Sequence, residues 1–244
     1  MAHALKIFLS ILFFLLLSFG IYAKIVADSA SDYAATAIKA WTCQQQNMTM
    51  ASIEKVSNRV ESALATFPID ADLHYYKGQL ESLKALRGSV WDDDTQSGLS
   101  RSERSYSRAT DLRPVWAIAY LNQYQARILS KKFDKKTREL QQILETLGKW
   151  QTDVQKKYLW YVVGTWSYYN KKDRARLLRH FSDVVNNRPL EEILVAAGYE
   201  YDWLENIFKM NLSEEKLEKI MALLGDEVKL KSMNVQRALR NAYC

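Results

Sequence analysis

The sequence predicts an all-α protein: TPR-like antiparallel helical hairpins forming a short α-solenoid, after one N-terminal transmembrane helix. Apolar residues recur at three- and four-residue steps along most of the chain, which is the spacing of helices with one buried face. Its 244 residues include only 3 prolines and 8 glycines, so few positions force a helix to end. No alternating polar and apolar run of useful length occurs, and a β-sheet therefore has no source in the sequence.

The first predicted helix is an uncharged apolar segment, Ile7–Ala23, which we expect to be a membrane anchor. As a helix it spans roughly 26 Å against the ~30 Å of a hydrocarbon core, and Ile25–Ala27 extend it past Lys24. It lacks a good small-residue cleavage site, so an uncleaved signal anchor over residues 1–27 is favoured over a cleaved signal peptide. The short N-terminus is expected to stay in the cytoplasm while the remaining chain is exported.

Residues 28–244 are expected to form one TPR-like helical domain. A helix is predicted to continue from the anchor over 29–46, and the next runs from Met50 until Pro68 ends it. A third helix follows. The segment 87–100 holds the densest cluster of Gly, Ser and Asp in the chain and is predicted to be a loop inserted in a helical pair.

Small residues, aromatics and prolines in this region fit two degenerate TPR repeats. Pro68 and Pro114 lie 46 residues apart in the sequence, which is about one 34-residue TPR period plus an insertion. Gly78 stands at the small-residue position, and Tyr106 and Ala109 stand at the aromatic and alanine positions. Each hairpin would have an apolar face that it cannot bury alone, so neighbouring hairpins must stack.

Beyond Pro114 the helical spacing continues towards the C-terminus. Further helices are predicted at 116–128, 140–147, 152–170, 172–186 and 190–209. The fourth of these predicted segments begins within a basic stretch at 171–176, and a similar basic stretch lies at 131–136. Both stretches suit contact with an acidic polysaccharide or anionic head groups, and equally suit solvated helix junctions.

The aromatic residues between 158 and 169 have two interpretations as well. They suit a platform on which sugar rings stack, and they equally suit the core side of a long helix. The candidate glycan or partner surface therefore consists of Tyr158, Trp160, Tyr161, Trp166, Lys171 and Lys172.

Sequence motifs for catalysis, cofactors and metals are missing from the chain. There is no HExxH, Cys/His cluster, EF-hand loop, GxGxxG, GxxxxGK[ST] or GxSxG stretch, so no catalytic, cofactor-binding or metal-binding residue is predicted. The net charge of +6 is scattered among acidic residues, which does not favour nucleic acid as a partner. Cys43 and Cys244 are either a disulfide that joins the two ends of the domain or two free thiols.

Several motifs together resemble the VpsP-type exopolysaccharide biosynthesis accessory proteins. They are PIDADLHYYKGQL at 68–80, RPVWAIAYLNQYQARIL at 113–129, the Leu147–Trp150 sequence before a long helix with Trp166, and a cysteine near the C-terminus. Where the family usually has Gly-Pro-Trp, this chain has Gly-Lys-Trp at 148–150.

The resemblance implies a non-catalytic TPR-like scaffold for exopolysaccharide synthesis or export at the bacterial inner membrane, with its C-terminal domain in the periplasm. Its expected partners are membrane proteins of polysaccharide polymerisation and export. An acidic polysaccharide is a candidate partner from the two basic stretches alone. Trp116 and Trp150 are expected to be structural. Two alternatives stay open: a glycan-acting helical lyase or transglycosylase, favoured by an acid isolated among the 158–169 rings, and a regulator facing the cytoplasm, favoured by reduced cysteines.

Overall fold

The computed structural model describes residues 2–44, 46–89 and 91–225, and every regular element in these ranges is a helix, as predicted. The chain divides into two compact units between Pro114 and Val115, whereas the sequence predicts one domain after the anchor. Unit 1 contains α1 (Ala2–Thr42), α2 (Met50–Thr66), α3 (Ala71–Ala85) and α4 (Asp93–Leu112). Unit 2 contains α5 (Ala117–Leu129), α6 (Lys135–Leu147), α7 (Thr152–Gly164), a 3-10 helix (Trp166–Tyr168), α8 (Lys171–Asn187), α9 (Glu191–Glu200), α10 (Leu204–Ile207) and α11 (Glu214–Gly225).

The first helix, α1, continues without a break from the apolar segment into the body of unit 1. It is long and apolar enough to cross a membrane. The large apolar side chains between Leu5 and Ile25 are at least 41% exposed. Further along, Ala27, Ala30 and Ala34 are buried against α2 and α3, because alanine lets neighbouring helices approach closely.

The second helix has defined ends. Thr49 caps its N-terminus by accepting the Ser52 N–H at 3.1 Å, while the Ser52 hydroxyl accepts the Thr49 N–H at 3.0 Å. Its C-terminus is Thr66, two residues before Pro68, which confirms the predicted stop.

A seam of small residues holds α3 and α4 together as an antiparallel hairpin. The Ser102 hydroxyl donates to the Gly78 carbonyl at 2.9 Å and lies 2.6 Å from the Ser82 hydroxyl. A methyl group added at Gly98 would lie 2.8 Å from Ala85 Cβ. The two backbones therefore approach more closely than large side chains would allow.

This seam corrects the loop predicted over 87–100. The non-helical connection is short, since α3 ends at Ala85 and α4 already begins at Asp93. Gly98 and its neighbours are small because α3 packs against them, and not because the chain turns there. The extra residues of the second repeat lengthen α4 to 20 residues.

The structure places the predicted repeat positions of unit 1 within its helices or just after their C-terminal ends. Gly78 faces the ring of buried Tyr106, and Ala109 is fully buried. Pro114 follows the C-terminal end of α4, as Pro68 follows that of α2. In unit 2, Trp116 directly precedes α5 and is half-buried.

Unit 2 has its own apolar core, built mainly from α5, α7, α8 and α9. The helix predicted over 190–209 is interrupted, because Asp202 adopts a left-handed conformation with φ of 51°. The Trp203 N–H then donates to the Gly198 carbonyl at 2.7 Å, which ends α9 in a Schellman-type turn. The break lets the Trp203 ring enter the core, where it is 2% exposed.

Candidate functional site

Two of the predicted surface aromatics are core residues. Tyr158 is fully buried and Trp160 is 7% exposed, so neither ring can present a face to a glycan. Both lie on α7, whose inward side packs against α5 and α9. Their assignment to a ligand surface was therefore wrong, because the helical spacing of rings looks the same for a core helix and for an exposed platform.

The other two aromatics are half-buried and pack against the same core. Tyr161 and Trp166 both contact the core cluster from its edge. The Trp166 ring lies edge-on to Trp203 with centroids 5.1 Å apart, and the Arg174 guanidinium lies 5.7 Å from the Trp166 centroid. Trp166 therefore closes one side of the core rather than forming an open platform.

An aromatic contact that the sequence did not predict joins the first basic stretch to the segment that precedes the second. Phe133, in the turn between α5 and α6, stacks on Tyr168 with centroids 4.2 Å apart and ring planes within 4°. Tyr168 is 57% exposed and lies three residues before Lys171, where the second basic stretch begins. We name this region the basic–aromatic surface, consisting of Lys131, Lys132, Phe133, Lys135, Lys136, Tyr168, Lys171 and Lys172.

The turn that carries Phe133 has a fixed backbone. Lys131 is left-handed with φ of 56°, and its N–H donates to the Ile128 carbonyl at 3.0 Å. The Lys132 N–H donates to the Arg127 carbonyl at 3.0 Å, which completes a Schellman motif at the end of α5. The first basic stretch therefore leaves α5 in a defined direction.

A buried arginine fixes the other side of the same turn. Asp134 caps α6 by accepting the Thr137 N–H at 3.1 Å, and the buried Arg127 donates to both of its carboxylate oxygens at 2.6 Å. Although desolvation acts to raise it, the pKa of Asp134 is lowered overall by the Thr137 N–H and by Arg127. The acid within the first basic stretch is thus already paired inside the protein.

The backbone around Tyr168 is held by local hydrogen bonds. The Tyr168 N–H donates to the Thr165 carbonyl at 3.1 Å, and Arg174 donates to the Ser167 carbonyl at 3.2 Å. Asn170 caps α8 by accepting the Asp173 N–H at 2.9 Å. Lys171 and Lys172 follow in the first turn of α8, and both side chains are exposed.

Aromatic and cationic groups at one place suit a particular kind of ligand. One face of Tyr168 is covered by Phe133, while more than half of its side chain reaches solvent and offers a ring face to sugar C–H groups. The lysines that flank both rings in the sequence attract carboxylates or phosphates, although Lys135 already pairs with Glu139 at 3.6 Å. The arrangement can bind an anionic polymer that also carries apolar ring faces.

Glu145 of α6 is an acidic residue that contacts one of the predicted platform aromatics. It accepts the Tyr158 hydroxyl at 3.0 Å and forms an ion pair with Arg176 of α8. Arg176 also donates to the Gln141 side chain at 3.1 Å. Burial acts to lower the pKa of Arg176, but the hydrogen bond and charge of Glu145 raise it overall.

Tyrosine hydroxyls continue this buried polar cluster. Tyr124 and Tyr169 share a hydrogen bond of 2.6 Å between their hydroxyl oxygens, and Thr165 Oγ1 lies 2.8 Å from the Tyr169 hydroxyl. Burial raises the pKa of both Tyr124 and Tyr169, so both hydroxyls stay protonated. The cluster joins α5 and α7 to the residues before α8 as a network of satisfied polar groups.

Two further titratable groups in unit 2 were not singled out from the sequence. Burial lowers the pKa of His180 to about 4, and its Nε2 lies 2.8 Å from the Gln155 side-chain oxygen. Burial also lowers the pKa of Lys157 to about 8. A single sequence gives no signal for either, because both shifts depend on which helix packs over the side chain.

A groove of about 500 Å³ runs along α8, lined by residues that include Leu178, Arg179, Ser182, Lys209 and Asn211. Its two sides are tied together, since the Asn211 N–H donates to the Ser182 hydroxyl at 3.1 Å. Among the described residues, no group of three or more His, Cys, Asp or Glu side chains is placed to hold a metal ion.

The predicted disulfide involves a residue that the structure does not describe. Cys43 is half-buried just after α1, and its sulfur lies 3.5 Å from Thr42 Oγ1. Cys244 lies outside the described residues, so the Cys43–Cys244 pair stays a prediction.

No family model, curated protein or solved structure matches the chain.

Proposed function

We propose that this chain is a non-catalytic, membrane-anchored scaffold that serves exopolysaccharide biosynthesis or export at the bacterial inner membrane. The observation that carries the proposal is α1, one helix that joins an exposed apolar segment to the packed body of unit 1. Such a helix holds a partner-binding body beside membrane proteins. The exopolysaccharide role rests on the resemblance of the sequence motifs to VpsP-type proteins.

The surroundings of Glu145 favour the scaffold over a glycan-acting enzyme. A general acid needs a carboxyl group that stays protonated and faces an open cleft. The Glu145 side chain is 13% exposed, paired with Arg176 and hydrogen-bonded by Tyr158. It is engaged in holding α6, α7 and α8 together, so Glu145 is not placed to act as the general acid of a lyase or transglycosylase.

Affinity capture from membranes tests the scaffold proposal. The tagged full-length chain is cross-linked in cells, extracted in mild detergent, and its partners are identified by mass spectrometry. The matched control carries residues 1–27 fused to an unrelated domain, which separates body-dependent partners from anything that binds the anchor. Enrichment of polymerisation, chain-length or export proteins by the full chain alone is expected. The proposal would be contradicted if the chain is recovered without partners under detergent conditions in which known membrane complexes stay intact.

The basic–aromatic surface adds a second component, direct contact with an acidic polysaccharide. The stack of Phe133 on Tyr168, beside Lys171 and Lys172, is the observation that favours it. Binding of the full-length protein to a polyuronate and to neutral dextran measures this contact. We expect K171E/K172E to weaken polyuronate binding at least several-fold.

A charge-matched control distinguishes local contact from overall charge. Lys55 and Arg104 are exposed residues of unit 1, and K55E/R104E changes the net charge by the same amount. Equal loss in both variants would show that only net charge matters, which would contradict a site at the basic–aromatic surface.

A further inference from the structure

The turn between α2 and α3 is fixed against α1 at the end of the apolar segment. Lys24 Nζ lies 3.1 Å from Asp70 Oδ2 and 6.0 Å from the centroid of the Phe67 ring. The other Asp70 oxygen accepts the Leu73 N–H at 3.0 Å, and this carboxylate is only 4% exposed. Asp70 is also the N-cap of α3, so the carboxylate that pairs with Lys24 is held in place within the turn. The turn therefore cannot slide along α1 without losing its contacts with Lys24.

The burial of residues along α1 shows that the packed body of unit 1 begins at the level of Lys24. Ala23 is 2% exposed and Ala27 is fully buried, whereas Tyr22 and Ile25 on other faces of the helix are each 61% exposed. The body of unit 1 therefore starts within the last turn of the apolar segment, with no intervening linker.

Helix geometry places this level relative to a bilayer. A hydrocarbon core of ~30 Å is crossed by about 20 helical residues. If the span begins at Ile7, it ends at Val26. Lys24 then lies in the last turn of the span, at the boundary with the head groups. When α1 tilts by about 20°, a neighbouring helix whose axis lies ~10 Å from that of α1 moves by only ~3 Å along the bilayer normal. The α2–α3 turn stays within the interfacial layer.

The side chains that the turn presents suit this position. Ile69 is 61% exposed and adjacent Pro68 is also exposed, so the tip of the turn is apolar and uncharged. The acidic group of the turn, Asp70, is paired with Lys24. A single exposed isoleucine is ordinary at a water-facing surface, and it is favoured at the boundary between acyl chains and head groups when its depth places it there.

We propose that the α2–α3 turn is a membrane-contact element, whose Ile69 side chain enters the interfacial layer of the bilayer that α1 crosses. The occupant is lipid because the contacts of Lys24 set the turn at the depth of the bilayer surface. The inference rests on the membrane anchoring in the proposed function and adds a second lipid contact, made by the body itself. Unit 1 is thereby held upright on the membrane by two points rather than one.

Photocross-linking of the full-length protein tests this contact. The photoreactive residue p-benzoylphenylalanine replaces Ile69, Leu86 or Phe14 in separate variants, each reconstituted into vesicles of phosphatidylethanolamine and phosphatidylglycerol. Leu86 is the matched control, since it is exposed and apolar but lies at the far end of α3, roughly 22 Å away along the helix. Phe14 lies within the apolar segment and reports on the anchor itself.

Mass spectrometry of the adducts separates the outcomes. We expect lipid adducts from positions 14 and 69, with position 69 at least fivefold above position 86. Equal yields at 69 and 86, with strong adducts at 14, would overturn the membrane contact and leave the anchor intact. Adducts from position 69 to a second protein chain would overturn it in favour of a protein contact. No lipid adducts at position 14 would overturn both the contact and the membrane anchoring.

Discussion

Replacing Gly78 by alanine tests whether the close approach of α3 and α4 specifies the hairpin. A Cβ atom at this position would lie 2.7 Å and 2.8 Å from two ring carbons of Tyr106, where carbon atoms normally approach to about 3.5–4.0 Å. Tyr106 is 2% exposed and has little room to move. Relief of the clash therefore requires the helices to separate by several tenths of an ångström.

The expected change in the free energy of unfolding follows from two destabilising contributions and one stabilising contribution. Overpacking of this kind costs about 1–3 kcal/mol. Separation of the helices also stretches the hydrogen bond from Ser102 to the Gly78 carbonyl, which contributes about 1 kcal/mol. Alanine favours a helix interior over glycine by about 1 kcal/mol. The net expectation is that G78A lowers the free energy of unfolding by about 1–3 kcal/mol.

Thermal and urea unfolding of the full-length chain in detergent micelles, followed by circular dichroism, measures this change. G20A is the matched control, because nothing lies within 4 Å of a Cβ atom added there. In a double-mutant cycle, Y106L should relieve the clash and give a coupling of about 1–2 kcal/mol with G78A. Stabilisation by G78A of about 1 kcal/mol, as helix propensity alone predicts, would refute the packing seam.

Three further predictions concern titration, buried charge and redox state. Because burial holds the pKa of His180 at about 4 instead of 6.5, the unfolded chain binds a proton between these values that the folded chain does not. The free energy of unfolding should therefore fall as the pH drops below 6.5, by about 1 kcal/mol at pH 5.5, and H180Q should remove that component in thermal melts. Burial disfavours the charged form of Lys157, so K157M should stabilise the protein at pH 7 by about 1–2 kcal/mol in the same melts, and destabilisation would contradict this. If Cys43 and Cys244 form a disulfide, non-reducing electrophoresis should show a faster monomer that C43S abolishes, and an unchanged mobility would contradict the pairing.

Most helices could be predicted from the sequence because their signals are local. The apolar spacing that defines α2 and the proline after it act within a few residues, and the structure confirms both. The segment 87–100 was misjudged for a physical reason. Glycine and serine mark turns in isolation, but here Gly98 and its neighbours allow another helix to approach.

The candidate site could be predicted only in part. The basic stretches are visible as runs of lysine, but the contact of Phe133 with Tyr168 joins residues 35 positions apart and has no local signal. Similarly, Tyr158 and Tyr168 look alike in the sequence, although one is buried in the core and the other is exposed. Their roles depend on tertiary packing, which spacing within one helix does not encode.

Protease accessibility in spheroplasts tests both the proposed membrane anchoring and the export of the body that the sequence predicts. The chain is expressed with a C-terminal tag in a Gram-negative host, and membranes are washed with alkaline carbonate. We expect the full-length chain to stay in the carbonate-washed membranes and its body to be digested by protease added outside intact spheroplasts. Release of the chain into the soluble fraction would contradict anchoring, and protection of the body until the spheroplasts are lysed would contradict export.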